Sequence, residues 1–139
     1  MSQIYQTAAD FAALYMQMFD RIATDDPDGM DPLVEQQMVI RFKLNKPDTE
    51  LWVDGRTKPV QTSFGSQPLE ASFTAVLSGN TLHKLLLGTL PLGRALLFRK
   101  LKVQGSKTAA MKLESLLHAC QAVYPDLADE MQREHGGAG

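Results

Sequence analysis

The spacing of the apolar residues changes along this chain, and this change limits the fold more than any other feature. In the range 3–23, apolar side chains recur at steps of three and four residues, which predicts an amphipathic helix, and a loop follows at 25–29. The apolar face of that helix comprises Ile4, Ala8, Phe11, Leu14, Met18 and Ile22. The step then becomes two, which predicts strands near 38–44, 51–53, 60–64 and 69–77.

Glycine and small polar residues mark the ends of several predicted elements. Asp54 and Gly55 form a residue pair that is typical of a tight hairpin turn after the second strand. Asn80 or Thr81 is expected to cap a short helix, and Gly88 is expected to end it in the left-handed conformation. Helical spacing therefore returns after the fourth strand.

The last third of the chain adds a second short helix, a fifth strand and a long helix. Proline suits the start of the short helix, at 91–98, and a strand is predicted at 101–105. A long amphipathic helix is predicted over 106–125, from a serine cap to a proline stop. We expect one α+β domain at 1–125, followed by a flexible tail at 126–139.

Cysteine content and hydropathy exclude several classes of protein. The chain has 139 residues and one cysteine, so it cannot form an internal disulfide. No apolar run approaches the roughly 20 residues that a membrane-spanning helix needs. Asp10 falls within the first segment, which is unlike a secretory signal. These observations favour a cytoplasmic protein.

The charge is distributed unevenly. The net charge of −2 gives no general attraction to nucleic acid, and no nucleic-acid partner is expected. Seven basic residues and no acidic residue lie between Glu70 and Glu114. This basic span is either a solvated face or a patch that contacts anionic headgroups, a ligand phosphate or an acidic partner. The candidate contacts for a headgroup or membrane are Lys100, Lys102 and Lys107.

Several stretches resemble the sterol-carrier-protein-2 (SCP2) family. Residues 51–55 resemble its second strand and hairpin, and 69–77, followed by a short helix, resembles its fourth strand. The most specific part is the succession of a Gly-and-Leu turn and helix at 88–98, a strand at 100–105 and the start of an amphipathic helix at 110–113.

This resemblance covers about residues 38–117. It implies a five-stranded, mostly antiparallel sheet with helices packed on one face, enclosing an apolar tunnel for a sterol, fatty acid, fatty acyl-CoA or similar lipid. The chain ends in Gly-Gly-Ala-Gly and not in the peroxisomal signal of some eukaryotic members, so a bacterial cytoplasmic relative is expected. Some short bacterial relatives resemble accessory factors that handle isoprenoid quinone precursors.

The tunnel wall would be built from large apolar side chains of the sheet and the later helices. The candidate lining residues are Phe42, Phe64, Phe73, Leu77, Leu85, Leu86, Phe98, Met111 and Leu116. Ordinary core packing is the alternative role for each of them. Seven methionines also suit an adaptable wall, although methionine fills gaps in many cores. Trp52 is out of phase with its neighbours, either at the tunnel rim or on a surface covered by a helix.

Catalysis has weaker support in the sequence. Glu114 and His118 share a helix face and could form one edge of a metal site, but a solvated pair is the simpler interpretation. Cys120 lies on an apolar face and is expected to be a buried small side chain. No catalytic residue, metal or cofactor is predicted. A docking subunit that uses its first helix or the basic span to bind a protein is the third possibility.

Overall fold

A computed structural model describes residues 4–105 and 112–136 of the chain. Within these ranges the strands are β1 (Val39–Asn45), β2 (Thr49–Asp54), β3 (Gln61–Phe64), β4 (Phe73–Ser78) and β5 (Leu101–Gly105). The described helices are α1 (Ala8–Asp25), α2 (Asp31–Glu35), α3 (Gly79–Leu87), α4 (Leu92–Leu97), α5 (Leu113–Gln121) and α6 (Tyr124–Gly136).

The strands form one sheet in the order β3-β2-β1-β4-β5. Only the β1–β4 pair is parallel, and in it Phe42 lies opposite Ala75. The pairs β1–β2, β2–β3 and β4–β5 are antiparallel. The predicted five-stranded, mostly antiparallel sheet is therefore confirmed. Because β3 and β4 are parallel and separated by two strands, residues 65–72 form a crossover connection.

The two faces of the sheet differ in polarity because successive side chains of a strand point to opposite faces. The inner face carries Ile40, Phe42, Leu44, Leu51, Val53, Phe73, Ala75, Leu77 and Leu101, all of which are buried. The outer face carries polar residues such as Arg41, Lys43 and Lys102. Helices α1, α3, α5 and α6 form one packed group, in which α1 contacts β3 and α3 contacts β4. The predicted helix layer on one face is confirmed.

The first helix starts later than predicted. Thr7 caps it by accepting a hydrogen bond from the Asp10 N–H, at 3.1 Å, so Ile4 precedes the helix. The buried face of α1 agrees with the predicted one at Phe11, Leu14, Met18 and Ile22, and Tyr15 is buried beside them. A short helix, α2, occupies part of the region after the predicted loop.

Two predicted boundaries in the sheet are wrong. Strand β4 begins at Phe73, because residues 69–72 belong to the crossover. Ser72 ends the crossover and already donates its backbone N–H to the Val39 carbonyl of β1 at 2.7 Å. Asp54 and Gly55 do not form a tight hairpin, since six residues separate β2 from β3. Gly55 has another role: a Cβ there would lie 2.9 Å from the carbonyl oxygens of Leu33 and Met38. Glycine allows α2 to approach the end of β2.

The caps of α3 are partly as predicted. Ser78, not Asn80 or Thr81, is its N-cap and accepts a hydrogen bond from the Thr81 N–H at 3.1 Å. The predicted left-handed end at Gly88 is confirmed, with φ of 80°. The serine hydroxyl is better placed because the cap residue directly precedes the helix and is extended.

The C-terminal region differs most from its prediction. The first part of the predicted long helix, 106–111, lies outside the described residues. Pro125 does not end a helix but lies in the first turn of α6, where its missing N–H is harmless. Leu127 and Ala128 are buried in the core, so the flexible tail predicted from 126 is wrong through Gly136.

Candidate functional site: the apolar layer between sheet and helices

The inner sheet face and the helices enclose one continuous apolar layer. Six of the nine predicted lining residues belong to it and are at most 3% exposed, namely Phe42, Phe73, Leu77, Leu85, Leu86 and Leu116. The strand register explains the first three, and the inward faces of α3 and α5 supply the others. Among the described residues, no charged side chain is buried.

The other three predicted residues have different positions. Phe64 is half-buried on β3, and its ring lies 6.1 Å from the ring of Phe11 in an edge-to-face contact. Phe98 is 62% exposed, so its prediction as part of an enclosed wall is corrected. It follows α4, whose inward face is taken by Ala95. Met111 lies outside the described residues.

Cavities lined by described residues lie on the outer sheet face and beside α1. The first, of about 580 Å³, is an open cleft between Lys43, Glu50, Val76 and Ser66. A cavity of about 120 Å³ lies between α1 and α6, and one of about 40 Å³ lies between α1, α2 and residues 58–60. None of these three is lined by a predicted residue, and the apolar tunnel stays a prediction.

Trp52 is on the outer face of the sheet, where it is 4% exposed. The Arg41 guanidinium lies 5.6 Å from the centre of its ring, in a cation–π contact. Glu50 accepts hydrogen bonds from Arg41 Nε at 3.0 Å and from Trp52 Nε1 at 3.1 Å. The hydrogen bond from Arg41 lowers the pKa of Glu50. Trp52 therefore lies on the sheet face opposite the inner layer and not at the rim of that layer.

A chain of hydrogen bonds crosses the helix layer. The Tyr5 hydroxyl bonds to the hydroxyl of Tyr15, at 2.6 Å, and to that of Tyr124. Tyr124 also bonds to His83 Nδ1, at 2.7 Å. Burial raises the pKa of all three tyrosines. Burial, and then the nearby Lys84 charge, lowers the pKa of His83. The spacing of apolar residues carries no signal for this network, because it shows which side chains share a face and not which hydroxyl groups meet.

The groups considered for catalysis occupy ordinary positions. Glu114 and His118 are both exposed on α5, as a solvated pair. Cys120 is 2% exposed, and burial raises the pKa of its thiol to about 12, which confirms the predicted buried side chain. Within 4–105 and 112–136, no group of three potential metal ligands was found.

The basic span divides between two surfaces. Lys100 is exposed just after α4, whereas Lys102 lies on the outer face of β5, opposite Val76. Lys107 lies outside the described residues. Large exposed apolar side chains, Leu96, Leu97 and Phe98, stand next to Lys100. The spacing of apolar residues in the sequence did not predict that these three side chains are exposed. None of the described helices is long and apolar enough to cross a membrane.

The strand order, the single helix layer and the apolar interface define a two-layer α+β domain. A sequence profile described as "SCP-2 sterol transfer family" matches residues 19–118, more than half of the chain. The chain therefore belongs to the SCP-2 sterol transfer family. The match begins at residue 19, whereas the resemblance noted in the sequence begins at about residue 38.

Solved structures agree on the fold. The sterol carrier protein domain 2 of Helicoverpa armigera has a TM-score of 0.63 at 17% identity, over 81% of this chain and 87% of that one. Sterol carrier protein 2 from Yarrowia lipolytica, in its apo form, has a TM-score of 0.61 at 19% identity, over 76% of this chain and 88% of that one. A structure named UbiJ-SCP2 ubiquinone synthesis protein has a TM-score of 0.54 at 18% identity, over 69% of this chain and 74% of that one. A search of curated proteins found no match.

Proposed function

We propose that this protein is a non-catalytic carrier that holds a lipid-like ligand in the apolar layer between the sheet and the helices. The observation that carries the proposal is this layer, built from Phe42, Phe73 and Leu86 among others, in a chain of the SCP-2 sterol transfer family. The ligand class is an apolar sterol, fatty acid, fatty acyl or isoprenoid molecule. The expected cytoplasmic location stays a prediction.

Physical chemistry explains why an apolar layer suffices for this function. Transfer of one methylene from water stabilises a complex by about 0.8 kcal/mol, so a chain of roughly 15 carbons supplies on the order of 12 kcal/mol before association costs. No polar constellation has to be arranged for such binding. The proposed ligand-binding residues are the six predicted ones that the layer contains, namely Phe42, Phe73, Leu77, Leu85, Leu86 and Leu116.

Native mass spectrometry of the protein purified from cells tests this proposal. We expect a mass above that of the polypeptide, and we expect organic extraction to release a lipid that accounts for the difference. Protein without added mass that also fails to bind a fluorescent fatty acid contradicts the carrier function.

Substitutions at Leu86 connect the ligand to the layer. Leu86 is 1% exposed on α3, so Leu86→Asp should abolish fatty acid binding, whereas Leu86→Met conserves volume and should keep it. Because a buried carboxylate also destabilises the fold, circular dichroism must accompany both measurements. A Leu86→Asp protein that is folded and still binds the ligand contradicts a site in this layer.

A second candidate is an accessory role in isoprenoid quinone synthesis. It is favoured by the similarity to the structure named UbiJ-SCP2 ubiquinone synthesis protein. Identification of the released lipid separates the two candidates: an isoprenoid quinone precursor favours the accessory role, and acyl or sterol lipid favours a general carrier. Affinity capture of a defined partner by ligand-free protein favours a docking subunit instead.

A further inference from the structure

Helix α4 ends in three exposed apolar side chains, which we name the α4 tip: Leu96, Leu97 and Phe98. They are 43%, 75% and 62% exposed. On the same helix, Ala95 is fully buried and Leu92 packs against the core, so α4 has an inward face of its own. The tip is thus a second apolar surface, directed away from the core. A contiguous group of exposed large apolar residues commonly marks an interaction site.

Backbone hydrogen bonds fix the tip in this position. The Lys100 N–H donates to the Ala95 carbonyl at 2.9 Å, and the Arg99 N–H donates to the Leu96 carbonyl at 3.2 Å. These are the two bonds of a Schellman motif, and Arg99 takes the left-handed position with φ of 58°. The exposure of Leu97 and Phe98 therefore belongs to a closed helix end and not to a frayed one.

The charged residues next to the tip in the sequence are all positive. Arg94, Arg99 and Lys100 are exposed beside it, and none of them forms an ion pair with a described residue. The sequence contains no acidic residue between Glu70 and Glu114 that could neutralise them. Apolar side chains next to exposed cations complement an anionic bilayer surface, because the apolar groups can contact acyl chains while the cations contact the phosphates above them.

We propose that the α4 tip docks this protein reversibly on anionic membranes. Leu97 and Phe98 enter the interface between headgroups and acyl chains, while Arg94, Arg99 and Lys100 contact lipid phosphates. A stable protein–protein interface needs about 20–30 residues a side, far more than three apolar side chains and three cations. Weak membrane docking needs only a few of each.

This inference deepens the proposed function and rests on it for its purpose, since a lipid carrier has to meet a membrane to exchange its ligand. The tip lies a short distance along the chain from the apolar layer. Helix α3 buries Leu85 and Leu86 in the apolar layer, and only residues 88–91 separate it from α4. A protein docked through the tip holds the layer close to the bilayer.

Vesicle flotation with the full-length protein tests the docking. Two compositions are compared: phosphatidylcholine alone, and equal parts of phosphatidylcholine and phosphatidylglycerol. We expect the protein to float with the anionic vesicles and to remain mostly unbound with the neutral ones. Added salt should weaken the binding, because exposed charges are screened.

Two substitutions separate the apolar and the electrostatic contributions. Leu97→Ser should lower the partition coefficient on anionic vesicles about tenfold, as one leucine leaves the interface. Arg94→Glu should lower it about fivefold or more. The matched controls are Met16→Ser, a 53% exposed apolar residue on α1, and Arg21→Glu, an exposed cation on the same helix. Both controls should bind as the wild type does.

Other outcomes overturn the docking proposal. It fails if wild-type protein does not float with anionic vesicles, or if Leu97→Ser floats as well as Met16→Ser does. It also fails if ultracentrifugation shows a wild-type dimer that Leu97→Ser dissociates, since the tip is then an interface between two copies.

Native mass spectrometry of the same samples separates the two proposals. Protein that carries lipid but ignores vesicles contradicts the docking surface alone. Protein that floats but carries no lipid contradicts the carrier function alone. We expect Leu97→Ser to keep its co-purified lipid while it loses vesicle binding.

Discussion

At the scale of single residues, three helix ends share one backbone geometry with different side chains. The left-handed position is taken by Gln37 after α2, by Gly88 after α3 and by Arg99 after α4. After α2, the Met38 N–H donates to the Leu33 carbonyl at 3.0 Å, which closes the helix in the same way as the other two. A left-handed conformation is costly for any residue with a Cβ, so two of these ends carry strain that glycine avoids.

Gln37→Gly should therefore stabilise the protein. Relief of the left-handed strain gains roughly 1–2 kcal/mol, and the greater freedom of glycine in the unfolded chain offsets about 0.4–1 kcal/mol of it. We expect the free energy of unfolding to rise by about 0.5–1 kcal/mol in urea titrations followed through Trp52, which is the sole tryptophan.

The neighbouring residue is the control for this substitution. Gln36 is also exposed, but its φ is −101°, so Gln36→Gly relieves no strain and should lower the stability by about 0.4–1 kcal/mol. Equal effects of the two substitutions would contradict the strain argument. The sequence predicted the end at Gly88 because glycine signals that conformation. It contained no comparable signal at Gln37 or Arg99.

At the scale of elements, α6 shows how a charged helix can still belong to the core. The range 126–139 appeared to be a tail because acidic residues and a glycine-rich end dominate it. The structure places Leu127 and Ala128 in contact with the core and packs α6 against α1 and α3. Buried side chains near its start, at Tyr124, Leu127 and Ala128, dock the helix, and a polar composition conceals so narrow an apolar stripe.

Leu127→Ala measures how firmly α6 is docked. Leu127 is 3% exposed, so truncation leaves a cavity and should cost about 2–5 kcal/mol of the free energy of unfolding. Leu97→Ala makes the same chemical change at a site that is 75% exposed and should cost less than about 0.5 kcal/mol. A Leu127→Ala protein as stable as the wild type would mean that α6 is not part of the cooperative unit.

Strand boundaries were harder to predict than strand identities. Alternation of apolar and polar residues continues through 69–72, yet the strand starts at Phe73. Alternation shows which side chains share a face, but it does not show where a neighbouring strand is available for hydrogen bonds. The crossover from β3 has to reach the far side of β1 before pairing can begin.

At the scale of the whole molecule, the tyrosine–histidine chain joins three regions that are distant in sequence. Tyr5 precedes α1, Tyr15 lies within α1, His83 lies on α3 and Tyr124 begins α6. When His83 is neutral with Nδ1 unprotonated, Tyr124 donates to it. Protonation puts a hydrogen on Nδ1, which then has to donate to Tyr124, so the hydrogen bond reverses.

This reversal predicts a dependence of stability on pH. The pKa of His83 is lowered in the folded protein, so the unfolded chain takes up the proton first as the pH falls. The stability present above the ordinary histidine pKa, about 6.5, should therefore be lost as the pH falls below it. The groups beside His83 are Lys84 on α3, Tyr5 before α1 and Tyr124 on α6.

Thermal unfolding of the wild type and of His83→Gln, at about pH 7.5 and about pH 5.5, checks this expectation. The lowered pKa of Glu50 affects stability only below the ordinary glutamate pKa of about 4.5, so this pH range separates the effect of His83 from that of Glu50. We expect the melting temperature to fall further between the higher and the lower pH for the wild type than for His83→Gln. Parallel losses would remove His83 as the cause.

The candidate site was predictable where burial follows from strand register. Phe42, Phe73 and Leu77 alternate on paired strands, and their inward position followed from the sequence. Phe98 did not follow the same logic, because an apolar residue at a helix end can point into the core or into solvent. Spacing shows which residues form an apolar face, whereas the packing of other elements determines whether that face is covered.

The strand order has a consequence for synthesis on the ribosome. Strands β1, β2 and β3 are neighbours in sequence and can pair as soon as residue 64 has emerged. The other edge of β1 must wait for residues 73–78, because β4 is its parallel partner. Until then, β1 presents the unpaired amide and carbonyl groups from which unwanted strand pairing starts. The nascent chain of this protein therefore passes through a stage with an open central strand.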